Sequence, residues 1–263
     1  MNDRVTIDIQ DHVAEVVLNR PDKFNALDLE MFRALDDSAR RLRDDRAVRA
    51  VVLRGAGANF CAGIDLDMLR EGGEDIMQAL LAPVANSSAT LAQQAALAWR
   101  RLPVPVICVL QGIAYGGGFQ IAMGADMRYA APQTQLSIME AKWGLIPDMG
   151  ISTTLRHVAA PDQVRELAFT ARVFDASEAL QLGVVTRVEE DPLAAARATA
   201  ATIASRSPDA IRGIKRLVND GWTLSDKAAL ALEASIQIDV LRSPNQAEAV
   251  LANLEKRAPK FED

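Results

Sequence analysis

The segment Leu102–Ala125, LPVPVICVLQGIAYGGGFQIAMGA, holds 24 residues without a charged side chain and decides the fold class. Its first half, with Val104, Val106, Ile107, Val109 and Leu110, has the character of a buried strand. Gln111-Gly112 and Tyr115 then lead into Gly116-Gly117-Gly118, after which Phe119, Ile121, Ala122 and Met123 continue as a helical pattern. A strand that passes through a glycine turn into a helix is the unit of an α/β protein. Glycines at a helix start let a ligand approach the backbone where the first N–H groups have no intrahelical partner. Those groups and the positive end of the helix dipole favour an oxygen carrying negative charge. The run is long enough for a membrane span, but Pro103, Pro105, Gln111, Gln120 and five glycines argue for a buried strand–turn–helix in a soluble protein with no membrane partner.

The same alternation extends to both sides. Val5–Ile9 and Val13–Leu18 read as a hairpin around Gln10-Asp11-His12, Asp28 caps a helix running to about Arg43, and Val48–Leu53 is an apolar strand. Glu71–Ala89, with Gly72-Gly73, Pro83 and Asn86, is the least regular internal stretch and reads as a mobile loop or short helix. Gln78–Trp99 carries no charge and reads as a partly buried helix. Asp175 to Glu178 forms a capping box for a helix ending near Gly183. Beyond Asp191, helix follows helix: Ser207-Pro208 opens one that stops near Gly221, Ser225 opens a second and Ser243-Pro244 a third. Leu230, Leu232, Ile236, Ile238 and Leu241 exceed what one apolar stripe needs, so this region is expected to pack on the core or on a neighbouring subunit. The expected division is a core over residues 1–195 and a helical subdomain over 196–263.

Composition narrows the function. The 263 residues are 49% hydrophobic, enough for one large core, and the net charge of −6 disfavours a nucleic-acid partner, which would need a basic face. Arg40, Arg41, Arg43 and Arg46 interleave with Asp36, Asp37, Asp44 and Asp45, the pattern of a solvated helix face. Cys61 and Cys108 follow no metal or redox spacing and fit a reducing compartment. The N-terminus lacks an apolar signal core, so a cytoplasmic location is expected. His12, in the hairpin turn, and His157, in an expected amphipathic helix, have no carboxylate or cysteine at ligand spacing, and no metal is expected.

A second loop resembles the glycine turn: Asn59-Phe60-Cys61-Ala62-Gly63-Ile64-Asp65-Leu66 follows a strand and precedes a helical pattern. Two such turns could place the N–H groups of Ala62 and Gly117 around one oxygen, stabilising an enolate or a tetrahedral oxyanion.

Leu18–Leu27, Phe60–Leu66 and Gly112–Asp126 together resemble the enoyl-CoA hydratase/isomerase (crotonase) superfamily, over a span from about residue 5 to the C-terminal helices. The resemblance implies an α/β spiral of ββα units, a C-terminal helical trimerisation region, and a homotrimer or dimer of trimers. It implies a fatty acyl-CoA thioester as substrate, with coenzyme A part of that substrate and no separate cofactor. The thioester oxygen would be held by the N–H groups of Ala62 and Gly117. Ala62, Gly63, Ile64, Asp65 and Leu66 would contact the coenzyme A portion, and Lys23 is a candidate partner for its phosphates.

The carboxylates distinguish the branches. Classical hydratases carry two glutamates, and here the second is present as Glu140 while Gln120 occupies the first position. Glutamine can hold a water but cannot accept a proton at neutral pH, and loss of a general base costs about 10²–10⁴ in rate. Asp148, eight residues after Glu140, makes a Glu/Asp pair similar to that of the dienoyl-CoA isomerase branch, although those isomerases carry an aspartate at the Gln120 position. The favoured expectation is therefore an enoyl- or dienoyl-CoA isomerase using Glu140 and Asp148. A hydratase with Gln120-held water and a catalytically weak thioester-binding protein are the alternatives. Trp143 is placed to line the acyl pocket; in isolation, Glu140 would read as a surface carboxylate paired with Lys142.

Overall fold

A computed structural model describes residues 4–71, 73–84 and 87–263; Met1–Asp3, Gly72, Ala85 and Asn86 lie outside the described residues. The part of the expected irregular stretch that falls on Gly72 and Asn86 is thus outside it too.

The chain opens with β1 (Val5–Gln10) and β2 (Val13–Leu18), an antiparallel hairpin whose turn residues Asp11 and His12 both have positive φ. That backbone matches the right-handed twist of the strands it joins. β3 (Ala50–Gly55), β4 (Val106–Leu110), β6 (Met127–Ala130) and β9 (Arg187–Val188) add in parallel, giving a mixed sheet ordered β1-β2-β3-β4-β6-β9. β5 (Ile113–Tyr115), β7 (Gln135–Ser137) and β8 (Phe174–Asp175) form a second, smaller sheet.

The central strands are buried on both faces, which explains their unbroken apolar sequences. Val51 and Leu53 of β3 face a core shared with the helices Leu29–Asp44 and Leu91–Arg100. Ala50 and Val52 face the opposite side, where Ile107, Val109 and Tyr129 pack against Ala196 and Ala200 of the helix Pro192–Ala204. The expected division at residue 196 falls inside that helix, whose buried alanines close the second face of the sheet. Beyond it come Pro208–Gly221, Asp226–Leu241 and Pro244–Glu255, each starting after its expected serine.

Two local expectations need correction. Gln78–Trp99 is not one helix: Gly73–Leu81 ends before Pro83, and a new helix, Leu91–Arg100, starts from a capping box between Thr90 and Gln93. The missing backbone donor of proline and a competing cap outweigh the helical composition. His157 lies in a turn after the short helix Ile151–Thr154, not in an amphipathic helix. Asp28 and Asp175 cap as expected, accepting from Met31 N and Glu178 N at 2.8 Å each.

Candidate active site

Two strand-to-helix turns meet beside the small sheet. The 59–66 loop is held along β5 by Cys61 N–H to Ile113 O (3.1 Å) and Tyr115 N–H to Cys61 O (3.0 Å). Gly63 stands at φ +90°, and a Cβ there would lie 2.7 Å from Tyr115 O and 3.4 Å from Gly117 N. Gly117 is equally constrained, since its Cβ would meet Leu27 Cδ1 at 2.7 Å. Glycine at 63, and at 118 where a Cβ would lie 2.5 Å from Cys61 O, is what allows the two turns to touch, while glycine at 117 makes room for Leu27.

The Ala62 N–H is not available to a ligand, contrary to the sequence expectation: it donates to Phe24 O at 3.0 Å. The next unengaged amide of this loop is that of Ile64. Leu27 N–H donates to Gly63 O (2.8 Å) and Leu27 O accepts from Asp65 N–H (3.0 Å), forming a parallel bridge between Leu27 and Ile64. In such a bridge the residue between the two bonds turns its own N–H and C=O away from its partner strand. Among the described residues no hydrogen bond engages the N–H of Ile64 or of Gly117, and both residues line one cavity of about 340 Å³.

Glu140, Asp148, Gln120 and Trp143 line the same cavity. Glu140 begins a short 3-10 turn after β7, and Gln120 sits one turn into the helix Gly117–Met123. Met149 N–H donates to Gln120 Oε1 at 2.8 Å, so the other end of this amide is its NH₂, which donates to Glu140 Oε1 at 2.7 Å. Glu140 Oε2 is buried and has no hydrogen-bond partner. Burial pushes the Glu140 carboxyl above the usual range; its bonds from its own backbone and Gln120 pull it down, and the charge of Asp148 adds to the rise. Asp148 is likewise raised by burial. Glu140 is 8% exposed and bonded to Gln120; Lys142 lies instead over the Trp143 ring, 5.8 Å from its centroid. Two carboxyl groups with raised affinity for protons, lining the same cavity as two unengaged amides, can exchange protons with a bound carbonyl compound.

The rest of the cavity is apolar. Met77, Leu80 and Leu81, from the irregular 71–89 stretch, form its walls together with Phe32, Leu69, Ala92 and Met149, which no local sequence signal singled out. Leu145 and Ile146 stand at the mouth, and Ile146 is 76% exposed. Leu66 lines the cavity as well. Asp65 does not: its carboxylate is held by Arg20 at 2.5 Å and accepts from Asp67 N–H at 2.9 Å. Burial raises the Asp65 carboxyl but these bonds outweigh it, so the group lies below the usual range. Lys23 is exposed and reaches Asp67 Oδ2 at 3.4 Å. Cys61 is buried, its thiol pushed up to about 12, and Sγ donates to Asn25 O. His12 contacts Ala47 O at 2.8 Å. Among the described residues no cluster of His, Cys, Asp or Glu could hold a metal ion, and no helix is long and apolar enough to cross a membrane.

Comparison with known proteins identifies the family and the fold. The family model described as enoyl-CoA hydratase/isomerase matches residues 8–263. The chain is 36% identical over 262 residues to the human mitochondrial Delta(3,5)-Delta(2,4)-dienoyl-CoA isomerase, covering 95% of this chain and 79% of that protein. It is 32% identical over 256 residues to enoyl-CoA hydratase EchA19 of Mycobacterium tuberculosis, covering 96% and 94% respectively. The crystal structure of an enoyl-CoA hydratase from Bacillus anthracis superposes with a TM-score of 0.90 at 28% identity, covering 98% of each chain. The crotonase-like α/β architecture with a C-terminal helical region is therefore the fold of this chain.

Proposed function

The chain belongs to the enoyl-CoA hydratase/isomerase family, and from that premise we propose that it is a double-bond isomerase of unsaturated fatty acyl-CoA thioesters. The observation that carries this is the pair Glu140 and Asp148 in one cavity, with the neutral Gln120 where a second catalytic glutamate would otherwise supply hydration chemistry. The N–H groups of Ile64 and Gly117 hold the thioester oxygen, and donors aimed at developing negative charge lower the barrier to an enolate.

In the reaction on a 3,5-dienoyl thioester, one carboxylate takes a proton from C2 and the C–H electron pair passes into the carbonyl, leaving charge on the held oxygen. The pair then returns through the conjugated chain as a proton is delivered at C6, giving the 2,4-dienoyl product. One C–H bond breaks, one forms, and no other atom is gained or lost. Glu140 lies beside the oxyanion donors, since a Cβ on Gly116 would stand 3.4 Å from its Oε1, and it is the carboxylate assigned to C2. Asp148 is assigned to the far carbon. The apolar walls take the acyl chain, Leu66 and the exposed end of the loop face the pantetheine, and Lys23 is offered to a coenzyme A phosphate.

Hydration is the second reading, favoured by the relatives whose names are enoyl-CoA hydratase. It would require Gln120 to hold a water with its remaining N–H while Glu140 alone serves as acid and base. Incubating the purified protein separately with 3-enoyl-, 3,5-dienoyl- and 2-enoyl-CoA and identifying products by mass and ultraviolet absorbance separates the two. Isomerisation of the first or second supports the proposal. Water addition to 2-enoyl-CoA at a rate exceeding isomerisation overturns it, and binding without turnover of any thioester supports a binding protein instead.

The C-terminal helices expose Leu230, Ile238, Leu241 and Leu254, each about half exposed or more. We assign this surface to self-association as a trimer or dimer of trimers; a monomeric mass by light scattering would contradict it.

A further inference from the structure

The mechanism above leaves one buried group with no chemical duty: Gln120, whose side chain is 1% exposed and hydrogen-bonded at both ends. Its carbonyl end takes the N–H of Met149, the residue next to Asp148. Its NH₂ end takes Oε1 of Glu140. Because Met149 can only donate, the amide cannot rotate to present its carbonyl to Glu140 without burying two acceptors face to face. One side chain therefore ties together the two segments that carry the carboxylates. It also blocks one oxygen of Glu140 and leaves Oε2 as the buried, unpartnered one.

We infer that Gln120 is a positioning residue that fixes the spacing of Glu140 and Asp148 and makes Oε2 the proton-transferring oxygen of Glu140. This rests on the isomerase reading for its catalytic consequence, but the hydrogen-bond geometry stands without it. A glutamate at this position would keep the Met149 bond and lose the other. Its second oxygen would face Glu140 Oε1, so the two carboxylates would have to share a proton. A leucine would keep the bulk and lose both bonds.

Gln120→Leu and Gln120→Glu separate this role from plain packing. With 3,5-dienoyl-CoA, both variants are expected to lower kcat by about 10–100-fold, the scale of a misplaced catalytic group, with KM within about three-fold of the parent. In both, the acid limb of the kcat/KM profile moves to higher pH: the leucine removes a bond that favours ionised Glu140, and the glutamate adds a like charge. The direct readout is the Glu140 carboxyl titration followed by ¹³C NMR, assigned by its loss in Glu140→Gln. A higher midpoint in both variants supports the inference whether or not the protein isomerises any thioester. An unchanged midpoint in the variants overturns it. If the parent turns over no dienoyl substrate while the midpoint moves, the isomerase reading fails and the positioning role stands. Should Gln120→Leu not fold, Gln120→Glu, nearly identical in shape, carries the test alone.

Discussion

Leu27 and Ile64 face each other across a parallel bridge in which Leu27 makes both hydrogen bonds, to Gly63 O and from Asp65 N–H. The Ile64 amide is thereby turned away from Leu27, and Gly63 brings the loop to within van der Waals reach of Gly117. Gly63→Ala is expected to disturb this junction twice, through its φ of +90° and through a Cβ 2.7 Å from Tyr115 O. Loss of one oxyanion donor should lower kcat by about 10²–10³. Retention of parental kcat in a folded Gly63→Ala variant would remove Ile64 from the site.

Glu140 combines function with a cost to stability. Its folded-state proton affinity is raised above the ordinary carboxylate value of 4.5, so the native state binds more protons than the unfolded chain as pH rises past that value. Native stability contributed by this group is therefore greatest below about pH 4 and declines as pH climbs through the raised value. Glu140→Gln should abolish turnover and raise Tm at pH 8, with the difference shrinking as pH falls towards 4. Calorimetry of both proteins across that range checks the sign; a lower Tm for the variant at pH 8 would contradict it.

The Arg20–Asp65 pair is a structural contact. Both side chains are largely buried, at 13% and 10% exposure, and the pair joins the turn after β2 to the 59–66 loop. Asp65→Ala removes the guanidinium's shortest ion pair, leaving it Ala26 O at 3.1 Å and Asp28 Oδ2 at 3.6 Å, and should cost about 1–3 kcal/mol of unfolding free energy by urea denaturation. Because the Asp65 carboxyl lies below its ordinary 3.8, its contribution is present above that pH and is lost as pH falls through the lowered value. An Asp65→Ala variant as stable as the parent at pH 7 would refute this.

Ala92 lines the cavity together with the apolar side chains Phe32, Leu80 and Met77. Ala92→Leu fills part of the acyl space and should raise KM for long-chain thioesters by about ten-fold, leaving short-chain substrates near parental values. Equal effects on long and short chains would show that the apolar cavity does not receive the acyl tail.

Much of this was legible in the chain itself. The strand–glycine–helix run pointed to the α/β core, and serine or aspartate marked the helix starts at Leu29, Ala176, Pro208, Asp226 and Pro244, because those signals are local. The family resemblance singled out Gln120, Glu140 and Asp148, and nearness to Glu140 singled out Trp143; all four line one cavity. The 59–66 loop does line the cavity, but which of its amides is unengaged was not legible. Ala62 and Ile64 flank the same glycine, and only the pairing with Phe24 and Leu27, far earlier in the chain, distinguishes them. The double engagement of Gln120 was equally hidden, since Met149 N–H is a backbone donor whose position depends on how the Pro147–Gly150 turn folds back.

The central claim is proton transfer along a conjugated thioester without water addition. Incubating the protein with 3,5-dienoyl-CoA in deuterated water, with absorbance and product mass recorded together, tests it most directly. The account predicts a conjugation-shifted product that has gained no water and whose formation is lost in Glu140→Gln. A product heavier by one water, or an isomer formed undiminished by Glu140→Gln, would contradict it.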